Sequence, residues 1–361
     1  MPESPLLTLP GAVRAGEPDA GVAAHYGEPV REQRRLTSGE ALVDLSSRGV
    51  LRLTGEDRLD WLDSLTSQRV RDLRPGDSAE SLLLDPAGRV EHAMAVVDDG
   101  AATWLVVEAA SAAPLAAFLD RMRFMKRVVV EDVTADVAVV GALSEPHLPG
   151  PEGPSLVWRD PWATGAEGGV TRAATADHPG EAFPLRLALV PRAALPGLPG
   201  PFAGVDALEA LRIAAWRPRA ALEVDARTLP HELDWLRSAV HLAKGCYRGQ
   251  ETVAKVHNLG RPPRRLVQLD LDGSAGVLPV PGAPVLSGED EVGTVTSSAR
   301  HHEDGPIALA VVKRSLPEDA VLTVHADGEA VSAAQRTVVP AGAGPAVAVP
   351  RLPRLGAVQR R

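Results

Sequence analysis

The sequence predicts an α+β protein that closes with a small antiparallel β-barrel. Between residues 41 and 130, short β-type runs alternate with helix signals. From Arg264 onward only short alternating runs occur, separated by Gly and Pro turns. No stretch approaches the roughly 20 uncharged apolar residues that a membrane-spanning helix needs. A chain of 361 residues exceeds the usual size of one domain, so two or three packed units are expected.

Each element has a local reason. Residues 1–24 mix Pro, Gly and Ala without periodicity and read as a flexible extension. Ala41-Leu42-Val43-Asp44-Leu45 is a short apolar run bounded by polar residues, and Val50-Leu51-Arg52-Leu53 is another. After the second, Thr54 with Asp57 three residues on can cap a helix that carries Leu59, Leu62 and Leu65 on one face. Ser81 to Leu84, Arg89 to Val97 and Thr103 to Val107, joined by the turns Asp85-Pro86-Ala87-Gly88 and Asp98-Asp99-Gly100, spell a three-strand meander. A helix from about Ser111 and a strand at Val128-Val129-Val130 follow; residues 144–182, rich in Pro and Gly, read as loops and edge strands. Leu185 to Val190 is a strand and Val205 to Trp216 a helix. Leu266 to Leu271, Ala283 to Leu286, Val292 to Thr296, Ile307 to Val312 and Val321 to His325 are the barrel strands. Residues 25–260 thus hold the mixed part, 261–340 the barrel, and 341–361 a flexible tail.

Composition narrows the function. The start shows no basic segment followed by a long apolar run, so a cytoplasmic location is expected, with no membrane partner. A formal net charge of −9 argues against a nucleic-acid partner. Between residues 210 and 265, however, eleven Lys/Arg stand against five Asp/Glu, which fits either a solvated helix surface or a pocket for an anionic ligand. The single cysteine, Cys246, rules out an internal disulfide and any metal or cluster site built from several thiolates of this chain. His301-His302 is the only adjacent histidine pair and reads as a solvated loop, so no metal site is expected.

The most informative stretch is Lys244-Gly245-Cys246-Tyr247-Arg248-Gly249-Gln250-Glu251, followed by a run to Val256 that can begin a helix. Two glycines allow close approach of a ligand or positive φ on either side of the thiol. Lys244 and Arg248 flank the only cysteine, and nearby cations with a helix N-terminus would favour a thiolate, making Cys246 a nucleophile or soft-metal ligand. A buried, inert cysteine in a tight turn is the other reading. Trp216, Trp235 and Tyr247 are candidates to line a pocket for a flat ring.

The string K-G-C-Y-x-G-Q-E resembles the signature of the YgfZ family, folate-binding proteins related to the glycine-cleavage T-protein and to a mitochondrial iron–sulfur assembly factor. Further similarity lies in Ala41-Leu42-Val43-Asp44-Leu45-Ser46, Gly55, Ala210-Leu211-Arg212 and Thr228-Leu229-Pro230-His231-Glu232, so it spans most of the chain. The resemblance implies two interlocked ferredoxin-like α+β subdomains around a central channel that takes tetrahydrofolate or a derivative, plus the barrel. It also implies a role in assembly or repair of iron–sulfur enzymes, with client enzymes or assembly proteins as partners and Cys246 and Lys244 at the functional centre. Gly245, Tyr247, Gly249, Gln250 and Glu251 complete the motif, and Glu91, His92, Arg212, Glu232, Tyr247 and Arg248 are the residues placed near folate. Two departures stand out. T-proteins carry adjacent aspartates where this chain reads Glu91-His92, and a pterin-holding glutamate where it has Ala214. A folate-dependent aminomethyl transferase is therefore the alternative reading, and a thiol redox enzyme, which would need a second thiol from a partner, is the third.

Overall fold

The computed structural model describes residues 3–344 apart from 174, 176 and 275. The first residues are folded onto the body rather than extended from it. Strands β1 (Val13–Arg14) and β2 (Ala23–His25) pair, Leu6 and Val22 are buried, and Asp19 is held by Arg219 at 2.6 Å. The expected flexible extension is thereby corrected: two apolar anchors and one buried ion pair fix a segment that has no periodicity to show it. The expected tail lies outside the described residues from 345 onward.

Helix α1 (Pro29–Thr37) and strand β3 (Leu42–Asp44) lead to β4 (Gly49–Thr54), α2 (Arg58–Leu65), β5 (Ser78–Leu84), β6 (Val90–Asp98), β7 (Ala102–Val107), α3 (Ala109–Arg121) and β8 (Val129–Asp132). The order β5-β6-β7-β4-β8 makes one antiparallel five-stranded sheet. Because strand side chains alternate, Leu51, Leu53, Leu83, Met94, Val96 and Leu105 go to the face covered by α2 and α3, and Val50, Val97, Trp104 and Val106 go to the opposite face.

That opposite face meets a second sheet, built from β9 (Val137–Ala142), β10 (Leu156–Arg159), β11 (Arg186–Pro191) and β12 (Phe202–Ala203) in the order β10-β11-β9-β3-β12. Strand β3, from the start of the chain, sits between β9 and β12, so the two sheets are interlocked. Helix α4 (Val205–Ala214) buries Leu208 and Leu211 in their shared core and Ile213 in the next one, joining the sheets to the barrel. A short α5 (Ala220–Glu223) and α6 (Gln250–Leu259) precede that barrel, formed by β13 (Arg264–Leu271), β14 (Pro284–Ser287), β15 (Asp290–His301), β16 (Gly305–Lys313), β17 (Leu322–Ala326) and β18 (Glu329–Thr337). Its antiparallel order β13-β16-β15-β14-β17-β18 closes through the β13–β18 pair. No helix among the described residues is long and apolar enough to cross a membrane.

Candidate functional site

The Cys246 loop is held by the side chains around the cysteine. Lys244 points inward, and its ammonium donates to the carbonyl oxygens of Asp63 at 2.6 Å, Thr66 at 2.8 Å and Gln68 at 2.8 Å, with the Asp63 carboxylate at 3.3 Å. Those carbonyls belong to the last turn of α2 and the segment after it, where acceptors are left over by the helix. Burial pushes Lys244 down to about 8, against the pull of Asp63. Tyr247 is buried in the cluster that holds Leu82, Leu84, Val90 and Val253; its ring lies 5.4 Å from the Lys244 nitrogen, and burial raises its hydroxyl pKa. Arg248 reaches across to β6, where it meets Glu91 at 2.5 Å while its guanidinium lies 5.3 Å from the Phe118 ring.

Gly249 begins α6 with φ of 83°, and a Cβ there would fall 2.6 Å from the Asp85 carbonyl oxygen and 3.0 Å from the Gly88 Cα. Only glycine lets the loop lie against the Asp85–Gly88 turn. Gly245, by contrast, has open space around it, so positive φ on both sides of the thiol holds for Gly249 alone. The Gln250 side-chain amide donates to the Lys244 carbonyl at 3.4 Å, and Glu251 is exposed in the first turn of α6, where a carboxylate suits the helix dipole. At the centre of this framework Cys246 is exposed. The two cations that the sequence sets beside the thiol are both committed elsewhere: Lys244 to carbonyls and Arg248 to Glu91.

A second feature lies between the two sheets beneath α4. This cavity, of ≈ 120 Å³, is walled by Ala93 and Ala95 of β6 together with Trp158, Phe183 and Trp235. Four arginines (Arg48, Arg212, Arg217, Arg219) and three glutamates (Glu80, Glu108, Glu209) also line it. They are wired to one another. Glu80 accepts from Arg217 at 2.7 Å, from the Trp235 indole at 2.8 Å and from Ser238 at 2.5 Å. Arg212 donates to Glu209 at 2.8 Å and to Glu223 at 3.0 Å, and Arg219 donates to Asp19, Glu108 and Glu209. Burial pushes the Glu108 carboxyl up, but Arg48 and Arg219 outweigh it and hold it below the ordinary range; for Asp160, behind the wall, burial prevails over Arg217 and its pKa is raised. The cavity therefore offers flat apolar walls and fixed donors and acceptors, with little net charge. Such a lining suits a polar heteroaromatic ring better than a free anion.

The residues expected near folate divide among four places. Glu91, His92 and Arg248 come together in a surface cleft with Pro114, Phe118 and Asp225. Burial lowers the His92 pKa, and its Nδ1 is buried without a partner. Arg212 alone lines the central cavity. Glu232 is fully buried at the base of the barrel, 2.7 Å from Arg264, and burial raises its pKa; it is a structural ion pair set apart from the cavity lining. Of the three aromatics, only Trp235 reaches the cavity. Trp216 bonds Gln268 at 2.6 Å, and Tyr247 packs under the Cys246 loop. Of the basic surplus of residues 210–265, Arg217, Arg219, Lys244 and Arg248 are taken up by Asp19, Asp63, Glu80, Glu91, Glu108 and Asp160 from outside that window, while Lys255 and Arg261 are exposed and enter no ion pair among the described residues. Sequence reasoning passed over Glu80, Arg217 and Arg219. The available signal was a carboxylate inside the apolar run Ala79–Leu84 and two arginines just after an apolar helix, since charges in buried elements need partners.

An interlocked pair of sheets with a closed barrel and a cavity between the sheets defines a T-protein-like architecture. Residues 24–149 match the GCVT N-terminal domain and residues 264–340 the glycine cleavage T-protein C-terminal barrel domain, so the chain carries both. An aminomethyltransferase of Parasynechococcus marenigrum is 29% identical over 331 residues, covering 83% of this chain and 87% of the relative. A mitochondrial homolog of the iron–sulfur cluster assembly factor IBA57 from Mycosarcoma maydis is 26% identical over 253 residues, covering 65% of this chain and 58% of the relative. The crystal structure of the glycine cleavage system aminomethyltransferase T from Bartonella henselae superposes with a TM-score of 0.72 at 16% identity, over 94% of this chain and 97% of that one, and so shares the fold.

Proposed function

We propose that this protein is a folate-binding accessory factor of the YgfZ type for assembly or repair of iron–sulfur enzymes, with a reduced folate in the central cavity and Cys246 as the working thiol. The observation that carries the proposal is the setting of Cys246. It is the only cysteine and it is exposed, while Lys244, Tyr247, Arg248 and Gly249 spend their side chains or their backbone freedom on fixing the loop. A cysteine kept for packing is buried instead. One thiol supplies one ligand or one nucleophile; a cluster needs about four ligands, so a cluster contact is shared with a client or a second protein. The iron–sulfur assembly relative supports this reading, and the aminomethyltransferase relatives support a folate in the cavity.

A folate-dependent one-carbon transferase is the second reading, favoured by the aminomethyltransferase relatives. Transfer of this kind needs a carboxylate within hydrogen-bond reach of the reacting nitrogen. Here Glu91 is paired with Arg248 in a separate cleft, and Glu80 is engaged by Arg217, Trp235 and Ser238. The ring of folate matches the aromatic walls and polar edges of the cavity, and its tail would leave through the open mouth. Calorimetry tests this directly: tetrahydrofolate should bind, a pterin alone should compete, and p-aminobenzoylglutamate alone should not. Absence of tetrahydrofolate binding up to about 1 mM, where an interaction of about 4 kcal/mol is still measurable, would overturn the folate reading.

A further inference from the structure

Beyond the C-terminal end of α3 the chain turns through Met122-Arg123-Phe124-Met125-Lys126-Arg127, and the tip of that turn is apolar. Phe124 is 84% and Met125 97% exposed, whereas the other aromatic and methionine side chains among the described residues are largely covered. The tip is rigidly mounted. The Trp61 indole donates to the Met122 carbonyl at 3.0 Å, Arg123 donates to the Val128 carbonyl at 3.1 Å, and Arg127 is clamped on Asp57 through its main-chain N–H at 2.9 Å and its guanidinium at 3.1 Å. Phe124 itself has φ of 48°, a left-handed conformation costly for a bulky residue, which the clamps on either side enforce. Two large apolar side chains held out on a braced turn are the usual anchors of a protein interface.

The surroundings specify the partner. Arg123 pairs with Asp120, and Arg127 pairs with Glu56 and Asp57. Arg121 and Lys126, both exposed on either side of the tip, enter no ion pair among the described residues. A groove lined by Trp61, Leu65 and Met122 adjoins the tip. In the other direction, Pro114, Phe118 and Arg121 of α3 line the cleft that holds Arg248, two residues beyond Cys246. One face therefore runs from the neighbourhood of the thiol along α3 to Phe124 and Met125. A concave groove beside the tip fits a folded partner, and the acids that neutralise Arg123 and Arg127 count against an anionic bilayer.

We infer that this face docks a protein that offers an apolar pocket rimmed by carboxylates, and that the docked protein is the one Cys246 serves. The inference rests on the accessory-factor reading above. It is tested with the full chain carrying Phe124→Ser and Met125→Glu together, and separately Arg121→Glu with Lys126→Glu, in a deletion strain assayed for iron–sulfur enzyme activity, beside Cys246→Ala. Both surface variants should lose support about tenfold or more, the scale of a lost interface anchor. Tetrahydrofolate binding and iodoacetamide labelling of Cys246 should stay as in the wild type. Full support by the surface variants while Cys246→Ala fails overturns the docking inference alone. Full support by Cys246→Ala, or no dependence of the enzymes on the wild-type chain, overturns the accessory-factor reading and this inference with it. Flotation with phosphatidylserine vesicles that the surface variants abolish assigns the face to membranes, and a concentration-dependent dimer that they abolish assigns it to a second copy; either result overturns the inference.

Discussion

Replacing Lys244 by methionine keeps the length of the side chain and removes the ammonium that three carbonyls and a carboxylate share. The site is closed, with the Lys244 side chain 1% exposed, so water does not replace the lost donor. Removing one partner of a buried charged cluster costs about 3–5 kcal/mol. At about 2 °C per kcal/mol for a chain larger than 150–250 residues, the melting temperature should fall by about 6–10 °C. Circular dichroism melts give the first number, and the rate of Cys246 alkylation by iodoacetamide at fixed pH gives a second. Because the ammonium faces carbonyls, the alkylation rate of the folded variant should change little. A variant as stable as the wild type, within about 1 kcal/mol, whose thiol is alkylated several-fold more slowly would refute the structural role and return Lys244 to the thiol.

Gly249→Ala should destabilise the chain by about 2 kcal/mol or more, because it combines a left-handed φ with a Cβ against the Asp85 carbonyl, whereas Gly245→Ala should be tolerated; chemical denaturation of both variants checks the contrast. Arg217→Met should cost about 3–5 kcal/mol by leaving Glu80 and Asp160 buried and unpaired. The Asp160 pKa, already raised by burial, would rise further without Arg217, so the deficit should be smallest in acid and grow as pH rises through the carboxylate range, as denaturation at several pH values would show. His231 is fully buried beneath α6, its Nε2–H donating to the Val253 carbonyl at 3.1 Å, and burial, aided by Arg172, lowers its pKa from 6.5 to about 3. The unfolded chain takes up that proton near 6.5 and the folded chain only near 3, so stability should fall on acidification through that interval, with a limiting slope of about 1.4 kcal/mol per pH unit. His231→Gln should flatten that part of the profile; an unchanged slope would contradict the assignment.

Alternation and turn chemistry made the meander and five of the six barrel strands readable, while β18, which closes the barrel against β13, was passed over. Val267, Leu269 and Leu271 point into the barrel, while Leu266 and Gln268 between them face outward to the α4 side. The turn Asp85-Pro86-Ala87-Gly88 separates β5 from β6 as its composition indicates. Non-local contacts explain what was not readable. The N-terminal segment is ordered by Asp19 meeting Arg219, 200 positions away, and no local pattern reports such a pair. Lys244 presents the same difficulty: its partners are main-chain carbonyls at positions 63, 66 and 68, and carbonyls leave no mark in a sequence. Charge counting likewise registers Arg212, Arg217 and Arg219 as cations without showing that each is buried against acids drawn from other elements. The motif around Cys246 was legible as a unit, but the division of labour inside it, between residues that hold the loop and the one that is presented, required the geometry.

The most direct measurement is the activity of iron–sulfur enzymes in a deletion strain supplied with Cys246→Ala, made beside purified protein titrated with tetrahydrofolate. Cys246 is exposed and no packing depends on its sulfur, so the variant should fold and bind tetrahydrofolate as the wild type does, yet leave the enzymes at the level of the deletion. Enzyme activities restored to the wild-type level by Cys246→Ala would contradict the claim that this thiol is what the rest of the motif is built to present.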